Sequence, residues 1–172
     1  MISIEIPELY NWVLFSAILL VTECLIIGFV VAGGTRKKVF NPEFMEQFVA
    51  EHEEAFGPGT KPNKEGYPDT GTGYYSWKLP YKDWFEFNSR QRAHANFLEQ
   101  VFIVVPWVLL VGLTLPIVAI TLAGIYFVGR IVYTVGYLQR PANRGKARLF
   151  FMSSLLGLLG TSIYSCIKLG LS

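Results

Sequence analysis

Four apolar runs divide this chain, each close to the roughly 20 residues that a helix needs to cross a bilayer. The first extends from Trp12 to Ala32 and is interrupted only by Glu23 and a few small polar residues. The second begins near Arg90 and continues to Leu115, the third covers Pro116 to Leu138, and the fourth Leu149 to Leu171. Their period is helical, without the strict alternation that marks barrel strands. Only Gly112-Leu113-Thr114-Leu115-Pro116 separates the second run from the third, so these two form an antiparallel hairpin. The pattern predicts an all-α membrane protein: a four-transmembrane-helix up-down bundle, organised as a single domain over residues 1–172.

Between the first two spans lies an extended loop, residues 39–87. Asn41-Pro42-Glu43 reads as an N-cap, a proline at the first helical position and an acidic first turn. A short amphipathic helix follows, with Phe44, Met45, Phe48 and Val49 on one side, and Gly57-Pro58-Gly59 stops it. Gly33-Gly34 is expected to be turn punctuation after the first span. After a turn-rich stretch, Tyr74 to Phe85 is dense in aromatics and lysine. That composition suits an interfacial belt on the membrane surface, with a lid or a partner-docking surface as the alternative.

Composition agrees with the pattern: 52% of the 172 residues are hydrophobic and 16% charged. A net charge of +2 gives no reason to expect nucleic acid as a partner. The positive charge is local. Arg36, Lys37, Lys38, Lys61, Lys64, Lys78, Lys82 and Arg90 fall in the first loop, and Arg140, Arg144, Lys146 and Arg148 between the third and fourth spans. Four spans put both groups on one side, which the positive-inside rule assigns to the cytosol or its equivalent. Cys24 and Cys166 lie in apolar runs and suggest neither a disulfide framework nor a metal site. His52 is expected to be solvated, and neither histidine has metal-ligand spacing. No phosphate-binding loop, dinucleotide fingerprint or nucleophile triad is present, and no cleavable signal is evident.

The chemistry lies in two polar stripes. Arg92, Asn96 and Glu99, spaced i, i+4, i+7, share one helix face at the mouth of the second span. Charge near the centre of a bilayer costs roughly 2.5–3.5 kcal/mol each on insertion scales, so something polar must meet that face. In the third span Tyr126, Arg130, Tyr133 and Tyr137 form a second stripe, whose hydroxyls and guanidinium need partners. Both stripes lie at the helix ends facing the basic loops. Converging on one pocket, they would offer cations, a carboxylate, an amide and phenols, an inventory suited to a small zwitterionic anion. Guanidinium groups bind carboxylates in bidentate fashion, and Glu99 would hold an ammonium. Satisfying one another across the bundle is the plainer role for the same groups. Glu23, mid-span, is expected to pair with Arg130 or a hydroxyl, or to be protonated.

Gln91-Arg92-Ala93-His94-x-Asn96-x-Leu98-Glu99, followed by an apolar span, resembles the signature of the membrane-associated proteins in eicosanoid and glutathione metabolism (MAPEG). The likeness is nearest to the microsomal glutathione S-transferases of the type 3 group. Gly129-Arg130-x-x-Tyr133-x-x-Gly136-Tyr137 is a second matching block, and Arg36-Lys37-Lys38 a weaker one. The resemblance implies a four-helix protomer, a homotrimer, and glutathione as co-substrate near the cytosolic face, with no metal. It implies transferase or peroxidase activity toward lipophilic electrophiles or lipid hydroperoxides drawn from membrane lipid. It also implies location in the endoplasmic reticulum, with a mitochondrial membrane as the alternative. Carried over, Arg92, Asn96, Glu99, Tyr133, Tyr137 and Arg130 would hold the tripeptide, with Arg36 and His94 reaching in from a neighbouring protomer. Arg144, seven residues after Tyr137, stands where the family's leukotriene synthase has the arginine assigned to the sulfur; Arg140 or Arg148 could take its place.

The chain also departs from the family's pattern. Gln100 stands where some members have tyrosine, and the 39–87 loop is longer than the family norm. These features keep two other readings open. One is a non-catalytic MAPEG-fold protein, binding lipid or serving as an accessory subunit of a larger membrane complex. The other is an unrelated four-helix transporter with Glu23, Arg92, Glu99 and Arg130 as a proton relay.

Overall fold

The computed structural model describes residues 6–139 and 144–171, the side chains of 144–147 excepted. The described residues are helical, with no strands, and four helices are long and apolar enough to cross a membrane. They are Tyr10–Val39, Tyr81–Gly112, Pro116–Gln139 and Arg148–Gly170. The chain divides into two units: residues up to Leu25 together with those from Ala95 onward, and Ile26–His94.

The first unit is the bundle. It holds α1 (Tyr10–Ile26), the later part of α5 (Tyr81–Gly112), α6 (Pro116–Gln139) and α7 (Arg144–Gly170). Successive helices run antiparallel, as their contacts show. The Tyr10 hydroxyl at the start of α1 donates to the Leu109 carbonyl near the end of α5 at 3.2 Å. Asn96 and Gln100 of α5 meet Tyr133 and Tyr126 of α6 respectively. Ser154 of α7 donates to the Leu122 carbonyl of α6 at 2.6 Å. The α5–α6 turn falls at Gly112–Pro116, as the sequence predicts, and Pro116 begins α6, where a missing N–H costs nothing. Thr114 in that turn shares a hydrogen bond of 2.6 Å with Ser165 of α7.

The second unit is a folded loop. Its first part corrects the expectation of a break at Gly33-Gly34. The first span passes into a π-helical segment, Ile27–Ala32, and then α2 (Gly33–Val39), with the Gly33 N–H bonded to the Gly28 carbonyl. Gly28 lies against the His94 ring; a Cβ there would come within 2.6 Å of Nε2. Gly33-Gly34 stays helical because the residues beyond it are anchored. Thr35 donates to the Val31 carbonyl at 2.8 Å, and Arg36 is buried. Tertiary anchoring outweighs the glycines' weak helix propensity, a cost of about 1 kcal/mol each.

Asn41 caps α3 (Pro42–Glu46) as expected, its side chain accepting from the Phe44 N–H at 2.9 Å. The amphipathic segment is two short helices rather than one, α3 and α4 (Val49–Phe56), and Gly57 ends the second at φ 102°. Phe40, Met45, Phe48, Leu79 and Phe87 form an apolar core, with Phe44, Tyr75 and Trp84 packed against it. Burying each such side chain is worth about 1.5–3 kcal/mol, so the loop has a core of its own. α5 begins at Tyr81 rather than near Arg90, because Trp84 and Phe87 face that core at helical spacing.

Asp69 ties the turn-rich stretch together. Its Oδ1 accepts from the Gly71 N–H (2.7 Å), the Gly73 N–H (3.0 Å) and the Ser76 hydroxyl (2.5 Å), and its Oδ2 from the Ser76 N–H (2.7 Å). Burial opposes the charged form. The bonds from the Ser76 side chain and from the Ser76, Gly71 and Gly73 backbone outweigh it and hold the carboxyl below its ordinary value.

Candidate functional site

Asn96, Gln100, Arg130, Tyr133, Arg148, Phe151 and Met152 line a cavity of about 260 Å³ between α5, α6 and α7. Asn96 and Gln100 come from successive turns of α5, and Arg130 and Tyr133 from the second stripe on α6. Arg148 and Phe151 come from the first turns of α7. Each pair is three or four residues apart, the spacing that puts side chains on one helix face.

The hydrogen bonds give the lining a polarity. Asn96 Nδ2 donates to the Tyr133 hydroxyl oxygen at 2.9 Å, which leaves that O–H to donate elsewhere. The Tyr126 hydroxyl donates to Gln100 Oε1 at 2.9 Å, which leaves the Gln100 amide nitrogen as a donor. Two guanidinium groups join them, and no carboxylate is among the described residues that line the cavity. The site therefore favours an anion.

Arg130 backs this cavity from the bundle interior and is 0% exposed. Its Cζ lies 4.3 Å from the Phe97 ring centroid, 4.9 Å from Tyr133 and 5.3 Å from Phe151. Such rings stabilise a desolvated cation by about 2 kcal/mol. Glu23, buried on α1, feels the Arg130 charge, as do Cys24 and Tyr126. Neither Glu23 oxygen has a hydrogen-bond partner among the described residues.

Gly129, in the second matching block, permits the approach of α7. A Cβ there would come within 3.0 Å of the Phe151 backbone nitrogen and Cβ. Backbone cannot swing aside, so Gly129→Ala should cost about 1–3 kcal/mol and distort the Phe151 wall. Thermal unfolding in detergent checks the first effect, and ligand affinity the second.

The structure brings together Asn96, Arg130 and Tyr133, with the Tyr137 ring tilted against Tyr133 at 5.7 Å between centroids. Glu99 is exposed on α5. Arg92, also exposed, and His94, half-buried, belong to the loop unit. Arg36 has partners there: it donates to the Glu65 carbonyl at 3.2 Å and to the Asp69 carbonyl, and lies 4.2 Å from the Tyr67 ring centroid. The Arg144 side chain and Arg140 lie outside the described residues; of the three arginines considered for the sulfur, Arg148 lines the cavity. Sequence reasoning did not assign Gln100, Phe97 and Phe151 to the site. Gln100 had a signal, four residues beyond Asn96, whereas the rings read as ordinary span residues.

Residues 13–165 match the family model described as the MAPEG family. The chain belongs to the MAPEG family. No curated protein matches it, and no solved structure does. This MAPEG chain is an integral, multi-pass membrane protein, and its second matching block supplies Arg130 and Tyr133 to the cavity.

Proposed function

We propose that this MAPEG protein is a glutathione transferase or peroxidase of the type 3 kind, acting on lipophilic electrophiles or lipid hydroperoxides. The observation that carries the reading is the donor-rich cavity: Arg148, the Tyr133 hydroxyl and the Gln100 amide, backed by the buried charge of Arg130, without a carboxylate among them. A free thiol titrates near about 8.5, and only its thiolate is a good nucleophile. A guanidinium within about 4–6 Å lowers a neighbouring anion's pKa by about 1–3 units. Arg148 is the described group best placed for that role, with the Tyr133 O–H donating to the same sulfur. Apolar substrate would arrive from the lipid, past Phe151 and Met152. A homotrimer, as the family resemblance implies, is the form proposed. The endoplasmic reticulum is the proposed location.

The test is the ultraviolet thiolate difference spectrum of purified protein with glutathione, beside Arg148→Ala and Arg144→Ala. A thiolate band in the unaltered protein, reduced about tenfold at neutral pH in Arg148→Ala, is expected. A band lost only in Arg144→Ala would move the sulfur's partner to that residue. Neither a band nor heat of binding would replace the enzyme with an accessory subunit, a reading that the separately folded loop favours.

A further inference from the structure

The Met152 thioether is a cavity group for which the chemistry proposed above has no use. It shares the lining with Gln100, Tyr133 and Arg148 and is half-buried. Its sulfur is a soft, polarisable nucleophile, and the described lining residues include no cysteine or histidine to compete with it. The other described sulfurs are placed differently. Met45 is buried in the core of the loop unit and Cys24 is buried on α1. Cys166 lies fourteen residues further along α7, about 21 Å of helix.

Met152 also stands where the cavity meets an apolar surface. Leu149 and Leu156, three residues before it and four after, share its helix face and are 76% and 62% exposed. A molecule with an apolar tail and a polar head can lie along that face and put its head among the cavity donors. The lining then supplies what oxygen transfer to sulfur requires. A thioether that attacks a hydroperoxide expels an alkoxide, which leaves readily only when a positioned acid protonates it. Asn96 Nδ2 donates to the Tyr133 oxygen, so the Tyr133 O–H is directed to another acceptor. Tyr126 donates to the Gln100 oxygen, so the Gln100 nitrogen is a donor as well.

We propose that Met152 is an oxidation site, converted to its sulfoxide by a lipophilic hydroperoxide held in this cavity with Tyr133 as the proton donor. The Met152 sulfur attacks the terminal peroxide oxygen, the S–O bond forms and the O–O bond breaks. The Tyr133 O–H gives its proton to the departing alkoxide, and the phenolate recovers one from the hydroxyl now on sulfur. The products are a methionine sulfoxide and an alcohol: the sulfur gives up an electron pair and the peroxide takes it. A sulfoxide oxygen is polar where the thioether was apolar, and it accepts hydrogen bonds from the donors that an anion would use. Hydroperoxide in excess of glutathione thereby switches the site off, and reduction of the sulfoxide restores it. The inference rests on the function proposed above in so far as that reading names a hydroperoxide as substrate.

The test uses the full chain in nanodiscs, carrying Ile163→Met as an internal reference. Ile163 is 55% exposed on the same helix and is not among the cavity residues, so lipid-dissolved peroxide reaches it without the cavity's help. After brief treatment with cumene hydroperoxide in the absence of glutathione, peptide mass spectrometry reads the oxygen gained at each position. Oxidation at Met152 should run at least about tenfold ahead of position 163, and Met45 should stay intact. Tyr133→Phe should bring the two rates together. Equal rates in the unaltered cavity would overturn the proposal, as would a Met152 preference that survives Tyr133→Phe. Glutathione sulfonate, an anion with no thiol left to react, separates this inference from the function proposed above. Its affinity should fall about tenfold once Met152 is oxidised, and should be kept through the same treatment in Met152→Leu. Selective oxidation in a protein that never binds glutathione sulfonate would uphold the inference and count against glutathione as the ligand. Glutathione-dependent peroxide turnover by a protein whose Met152 stays intact when glutathione is left out would uphold the proposed function and overturn the inference.

Discussion

Arg130→Met should cost the bundle about 2 kcal/mol, the worth of a desolvated cation held among aromatic rings. Arg130 has no exposed surface and is ringed by Phe97, Tyr133 and Phe151. Methionine fills much of the same volume, so loss of packing would account for only a small part. A further part comes from Glu23, whose buried carboxyl would lose the cation whose charge it feels. Glu23→Gln in the same chain should recover part of that loss, because a neutral amide has no charge left to desolvate. Unfolding of the four proteins in detergent gives the cycle. Additive losses would mean that Glu23 and Arg130 do not interact. Arg130→Lys should keep the charge and still cost stability, since an ammonium stacks poorly on rings.

Asp69→Ala should open the loop and leave the spans folded. The carboxylate is 5% exposed and accepts from Ser76, Gly71 and Gly73. Alanine would strand these donors, each at about 1–3 kcal/mol, so a loss of at least about 3 kcal/mol is expected. Limited proteolysis between Gly57 and Leu79 should accelerate, while helix content is largely kept. The native protein should show a related pH effect. Because the folded carboxyl is held below its ordinary value, its contribution is complete above the unfolded value of about 3.9. It is lost as pH falls through the lowered folded value. Proteolysis by an acid-active protease should therefore rise below about pH 4 in the native loop and stay flat in Asp69→Ala. A native loop equally resistant at pH 3 and pH 6 would contradict this account.

These effects show which parts of the molecule were legible in the sequence. Span number and the hairpin at Gly112–Pro116 follow from run length and one proline, both local signals. The capped helix after Asn41 was legible for the same reason. Gly33-Gly34 misled because its helical state is set by Arg36, whose partners at Glu65 and Asp69 are distant in the chain. Asp69 itself sits in a run of turn residues, where any acid is unremarkable until Ser76 folds back on it. The cavity was half legible. Asn96, Arg130 and Tyr133 declared themselves as polar groups in apolar spans, but Phe97 and Phe151 are conspicuous only once Arg130 is seen between their rings. Arg92 shares its helix face with Asn96 by spacing, yet periodicity says nothing about where along a helix its neighbours change.

The wider winding at Ile27–Ala32 has a consequence for bookkeeping between relatives. A π-helical turn accommodates an additional residue without lengthening the helix by a matching step. Counting along the first span, from this chain to a MAPEG member whose span is regular α-helix throughout, therefore slips by one position past Ile27. Beyond it, an ungapped correspondence would pair Arg36 with a position about 100° around the other helix, and a basic residue there would be mistaken for its equivalent.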